Sequence, residues 1–203
     1  KFIIPDFRQF QVYGDSIKNI KWINLAGIKI DRAFIQESSK DVWLEQAKFI
    51  QEHITDELIE LAFSKLPSEL NDETTNSIKE SLRKRRANIV NIASQYYDFI
   101  SKLVVITATD KDDFIKIFRE DYTTKISISR IKKGIAQKPY KERTVYSNET
   151  KEIWVYGLDD KDNIEVSGTG KKPVFVRIIG GQNNDSYTIN NGQGIKVYDH
   201  KSK

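Results

Sequence analysis

The sequence predicts an α+β protein in which a mainly helical region, residues 1–108, precedes a β module, residues 109–203. Three observations carry that prediction. Apolar residues recur at alternating steps of four and three between Ile78 and Leu103. After Asp110 the pattern changes to period two, with turn residues between short runs. Finally, a strand–turn–strand unit in the last third occurs twice, at an offset of 23 residues.

Taken in order, Lys1 to Ile4 read as the middle of a structured region, and the chain lacks methionine, so a piece of a longer protein is expected. Between Lys18 and Ile30, apolar residues partly alternate with Lys, Asn and Gly, which suggests one or two short strands. Ser39 is placed to cap a helix whose face carries Trp43, Ala47, Ile50 and Ile54. Thr55 is placed to cap the next one. Asp56 and Glu57 in its first turn suit the positive end of the helix dipole, Leu58, Ala62 and Leu66 form its stripe, and Pro67 stops it. A long amphipathic helix then starts near Asn71 or Asp72, with Ile78, Leu82, Ile89, Ile92, Tyr96, Phe99 and Leu103 on one side and Arg85 as the polar member of the stripe.

In the β module, Ile115 and Ile117 are expected to pair with Ile126 and Ile128 across a turn at residues 121–124. Further strands are expected at Thr144–Tyr146, Ile153–Val155, Val174–Ile179, Tyr187–Ile189 and Ile195–Tyr198. In the duplication Gly157 matches Gly180, Asp162 matches Asp185, and Ile164 and Val166 match Tyr187 and Ile189. A unit of this size fits one turn of a stacked β architecture, so the module is expected to be antiparallel or stacked.

Composition removes several chemistries. There is no cysteine, which excludes disulfides, thiolate nucleophiles and cysteine metal sites. Thirty-three Lys+Arg against 29 Asp+Glu leave a dispersed +4, a poor footprint for nucleic acid, and no such partner is expected. The apolar run Leu103–Ala108 is far shorter than the roughly 20 residues a membrane-spanning helix needs. No secretory leader is expected in the opening residues.

Catalytic motifs fail one by one. His53 and His200 are isolated and form no zinc-helix pattern. Gly168-Thr-Gly-Lys-Lys has Glu165 where a phosphate loop needs glycine, and Lys172 where it needs Ser or Thr. Asp110, Asp112 and Asp113 read as a capping cluster at a strand start. Arg83, Lys84 and Arg86 flank Arg85 in one basic run, which offers either an anion or partner site or a solvated helix face.

Gly180-Gly-Gln-Asn-Asn-Asp-Ser-Tyr-Thr resembles the nine-residue calcium repeat of RTX β-rolls, with Asn183 replacing a glycine. That resemblance implies calcium near Asp159, Asp162, Asn184 and Asp185; the alternative is that these residues serve the turns alone. A wider set of segments includes Thr55-Asp-Glu-Leu-Ile-Glu-Leu-Ala, Lys65-Leu-Pro, Leu82-Arg-Lys-Arg-Arg-Ala-Asn-Ile-Val and Ser94-Gln-Tyr-Tyr. Glu149-Thr-Lys-Glu-Ile-Trp-Val-Tyr-Gly-Leu-Asp-Asp and Val176-Arg-Ile-Ile-Gly-Gly-Gln-Asn-Asn-Asp complete it. Together, over residues 40–200, they resemble the middle region of large Gram-negative envelope proteins that carry a calcineurin-like metallophosphoesterase domain and a C-terminal outer-membrane β-barrel. The resemblance implies a periplasmic or surface location and neighbouring domains of the same polypeptide as partners. It carries no catalytic residue onto this chain. The expected function is therefore a non-catalytic connecting or docking module. The alternatives are a calcium-binding β-roll-like module and an accessory domain that recruits a phosphorylated or acidic substrate through the basic helix.

Overall fold

A computed structural model describes residues 13–34 and 38–200. The expectation for Lys1 to Ile4 lies outside the described residues. The chain forms two compact units, residues 1–100 and 101–203, each with its own packing.

The first unit is helical: α1 (Ile20–Ile23), α2 (Ile28–Phe34), α3 (Lys40–His53), α4 (Asp56–Phe63), α5 (Glu73–Ala87) and α6 (Ile89–Ile100). Thr55 caps α4 as expected, its side chain accepting the amide of Leu58, and Asp72 caps α5 by accepting that of Thr75. Ser39 precedes α3 without making a side-chain cap. Residues 18–30 form helices and not strands. Asn19 caps α1, and Ile20 and Ile28 are buried with Tyr96 and Ile100 of α6, so tertiary packing decides a segment whose local pattern is ambiguous.

The single long helix expected from Asn71 onward is two helices. Asn88 separates them with φ −101° and ψ 3°, and its amide is shared between the carbonyls of Lys84, Arg85 and Arg86. The helical stripe also ends earlier than its spacing suggests. Leu103-Val-Val-Ile-Thr107 is a strand, consistent with its β-branched content, so the division between units falls after Ile100 and not near residue 108.

The second unit consists of β1 (Leu103–Thr107), β2 (Asp113–Glu120), β3 (Thr123–Lys132), β4 (Ile135–Tyr146), β5 (Glu152–Leu158), β6 (Asn163–Thr169), β7 (Phe175–Gly181), β8 (Ser186–Ile189) and β9 (Ile195–Tyr198). One sheet has the order β1-β5-β7-β9 and the other β4-β3-β2-β6-β8. The first is parallel throughout, and in the second β2, β6 and β8 run parallel. The chain thus alternates between sheets, laying one strand in each per circuit. β1–β2, β5–β6 and β7–β8 are stacked rungs, and β9 begins another.

The β3–β4 hairpin interrupts this circuit between the first and second rungs, pairing antiparallel with β2 and with itself. Ile115 faces Ile128 and Ile117 faces Ile126, the predicted register. The duplication likewise gives the rung register directly: Ile153 pairs with Val176, Ile164 with Tyr187 and Val166 with Ile189.

Inward residues form columns of β-branched side chains. Val104, Ile153 and Val176 stack in one sheet, and Ile115 and Ile164 in the other, all at most 3% exposed. Parallel rungs lack a hairpin turn to fix their register, and this continuous core supplies the driving force.

Candidate functional site

The rung corners between β1 and β2, β5 and β6, and β7 and β8 bring Asp113, Asp162 and Asp185 into one stack. Each lies immediately before, or one place ahead of, the paired residues Phe114, Asn163 and Ser186. Asp162 Oδ1 accepts the main-chain amide of Asp113 at 2.8 Å. Asp185 Oδ1 accepts that of Asp162 at 2.9 Å. Each carboxylate therefore ties its own rung to the preceding one.

Glycine makes room for this arrangement. A Cβ on Gly157 would stand 2.4 Å from Asp162 Oδ2 and 2.4 Å from the carbonyl oxygen of Gly180. One on Gly180 would meet Asp185 Oδ2 at 2.3 Å and the Tyr187 hydroxyl at 2.1 Å. Glycine and aspartate recur together because the carboxylate folds back over the bare Cα.

The three carboxylates have different surroundings. Asp113 is fully buried and well supplied with donors, its Oδ2 accepting from the amide and hydroxyl of Thr109 and from Tyr140, while Arg130 approaches Oδ1 at 3.4 Å. Asp162 is 1% exposed, and its Oδ2 has no partner. Burial pushes its pKa up to about 7; the Asp113 amide opposes that rise, and the charges of Asp185, Asp113 and Asp112 add to it. Asp185 is shifted upward as well, chiefly by burial.

The sequence-predicted residues divide accordingly. Asp162 and Asp185 are brought together by the stack. Asp159 lies on the turn, where its Oδ1 accepts from the Asp160 amide and from Asn183 Nδ2, and Asn184 is exposed on the turn after β7. Among the described residues, no three His, Asp or Glu side chains are arranged to hold a metal ion. Asp113, third member of the stack, belongs by sequence to an acidic cluster with Asp110 and Asp112 that suits capping and solubility. Its signal is Ala108, five residues earlier, which takes the place of the glycine in the other rungs.

The basic run faces acidic residues. Arg83 bonds Glu60 and lies 3.4 Å from Asp56; Lys84 reaches Asp15 at 2.9 Å, and Arg86 reaches Asp56 at 2.8 Å and the Ile54 carbonyl at 2.8 Å. Arg85 donates to the Gly14 carbonyl and covers the Tyr13 ring at 3.9 Å. These cations already have counter-charges or acceptors, which leaves the anion-site reading of Arg83, Lys84 and Arg86 with little unspent charge. His53 stacks on Phe49 and bonds its carbonyl within α3.

An apolar cleft of about 410 Å³ is lined by Val42, Trp43, Ile50, Ile89, Ile92 and Tyr96, with no carboxylate or histidine in its lining. Among the described residues, no helix is long and apolar enough to cross a membrane. Compared with known proteins, the chain matches no family model, no curated protein and no solved structure.

Proposed function

We propose that this chain is a non-catalytic connecting or docking module of a larger bacterial envelope protein. The observation that supports this reading best is the rung stack itself. Asp162 and Asp185 each use one carboxylate oxygen to hold one rung to the next, and Asp113 is spent on the corner of its own rung. A site for chemistry would instead present a nucleophile or base to a cleft. Parallel stacked strands resist bending along the stack, a property suited to setting the spacing of neighbouring domains.

The test is hydrolysis of p-nitrophenyl phosphate by the 203-residue chain in the presence of manganese or calcium, alongside fractionation of cells that express the longer protein. No turnover above the blank, with the longer protein in the envelope fraction, is the expected result. Turnover that survives purification to homogeneity would overturn the reading.

One observation favours a second reading, calcium between the turns: Asp162 Oδ2 is buried without a partner in a column of carboxylates. Hard oxygen donors from Asp162 and Asp185 suit calcium, although a full shell needs six to eight oxygens. Thermal melts in millimolar calcium and in chelator separate the two readings, because an ion bound only by the folded state raises the melting temperature.

A further inference from the structure

Arg119 is the largest fully buried side chain of the β unit, 1% exposed on the inner face of β2. Its register neighbours explain how a guanidinium fits there. Arg119 pairs with Gly168 of β6, which adds no side chain to the interior. The arginine therefore extends past the second rung to the turn after β8, where Nη1 donates to the Gln193 carbonyl and Nη2 to that of Asn191. Two neutral carbonyls accept those bonds; no carboxylate does. Burial alone pushes the pKa of Arg119 down, with no acidic neighbour to raise it.

Two polar atoms remain unused. Arg119 Nε is buried without an acceptor, and so is the hydroxyl of Thr124. Thr124 is the cross-strand partner of Arg119 in β3 and is 0% exposed. Cβ atoms of such partners stand about 4.5–5.5 Å apart on one face of an antiparallel pair. An N–H donor, an O–H donor and an unneutralised positive charge therefore border the same interior region. A buried cation without a counter-charge carries a desolvation cost that two carbonyl bonds offset only in part, and unsatisfied buried groups in native proteins commonly mark an ordered water or ion.

We propose that the interior of the β unit binds one small monovalent anion of halide size, held between Arg119 Nε and the Thr124 hydroxyl. Water would satisfy the hydrogen bonds but not the charge. A multivalent anion would overcompensate the single charge of Arg119 in a buried site. Because Arg119 also holds the turn at residues 191–193, bound anion secures the last rungs to β2.

The experiment uses the whole 203-residue chain in sodium chloride or sodium bromide and in sodium gluconate of equal ionic strength. Halide should raise the melting temperature of the β unit by about 3 °C over gluconate and slow amide exchange at Ile195–Val197. Thr124→Val keeps the shape and removes the donor, so its melts in the two salts should coincide. Bromide-soaked crystals should show one anomalous peak beside Arg119. Arg119→Gln should also lose the halide response; if it fails to fold, Thr124→Val and the bromide peak decide. Superimposable wild-type melts in chloride and gluconate would overturn the proposal, as would water alone at that position in the bromide crystals.

Discussion

The main-chain amide of Asp162 donates to Oδ1 of Asp185, 23 residues further along the chain, at 2.9 Å. That one bond makes an offset between two stretches of sequence into a contact between adjacent rungs. It also fixes Asp162 in a place where its second oxygen has nothing to accept.

Stability should therefore depend on pH through Asp162. Its folded pKa is about 7, against about 4 for an unfolded aspartate. Between those values the folded chain holds a proton that the unfolded chain has released. The stabilisation is fully present below about pH 4, falls as pH rises to about 7, and is absent above that. Melts in chelator across this range should show the decline, on the order of 4 kcal/mol. Asp162→Asn should reduce it, leaving the share of Asp185, which burial also shifts upward, and should exceed wild type in stability at pH 8. Parallel curves for the two proteins would remove the assignment.

Gly157→Ala should be costly, because the new Cβ meets a backbone carbonyl at 2.4 Å as well as the Asp162 carboxylate. A loss of about 1–3 kcal/mol or failure to fold is expected. Gly192→Ala is the control: nothing lies within 4 Å of its Cβ position, so denaturant melts should change by less than about 1 kcal/mol.

Much of this architecture is readable in the residues, and the exceptions have physical causes. The rung register follows from the matching of Gly157 with Gly180 and Asp162 with Asp185, since side chains that touch within a rung recur once per rung. The first rung escaped that reading. Asp113 bonds to Asp162 across 49 residues, because the β3–β4 hairpin is inserted between them, and Ala108 stands where a glycine would have given the signal. Residues 18–30 alternate locally as strands do, yet they form helices, because those helices are short and depend on burial against α6. The Arg119–Thr124 pair belongs to no motif. Period two puts Arg119 in phase with Ile115 and Ile117 and Thr124 in phase with Ile126 and Ile128, but an arginine on an inner face runs against the usual exposure of charge.

Core truncation should separate the columns from the surface. Ile178→Ala removes a side chain that is 0% exposed and should cost about 2–5 kcal/mol. Ile135, 66% exposed at the start of β4, should tolerate alanine with a change within about 0.5 kcal/mol in the same denaturant titration.

Charge deletion on α5 should have unequal effects. Arg83→Ala removes exposed ion pairs with Glu60 and Asp56, so the melting temperature should drop slightly, and less in high salt. Arg86→Ala also deprives the Ile54 carbonyl, at the end of α3, of its side-chain donor. It should lower the melting temperature further, because the lost bond to the Ile54 carbonyl adds a part that salt does not screen to the lost pair with Asp56.

The inserted hairpin has a consequence for how copies of this chain meet. It places β4 at the border of its sheet, and that strand carries Lys138, Pro139 and Lys141 and register shifts opposite Ile128 and Ser129. Proline withholds an amide, lysines repel a like strand, and bulges spoil the flat template that strand addition requires. The opposite border is β8, four residues long, too brief to recruit a partner of ordinary strand length. A protein built from open parallel layers, which would otherwise polymerise edge to edge, thus carries its own safeguards against aggregation at both borders of this sheet.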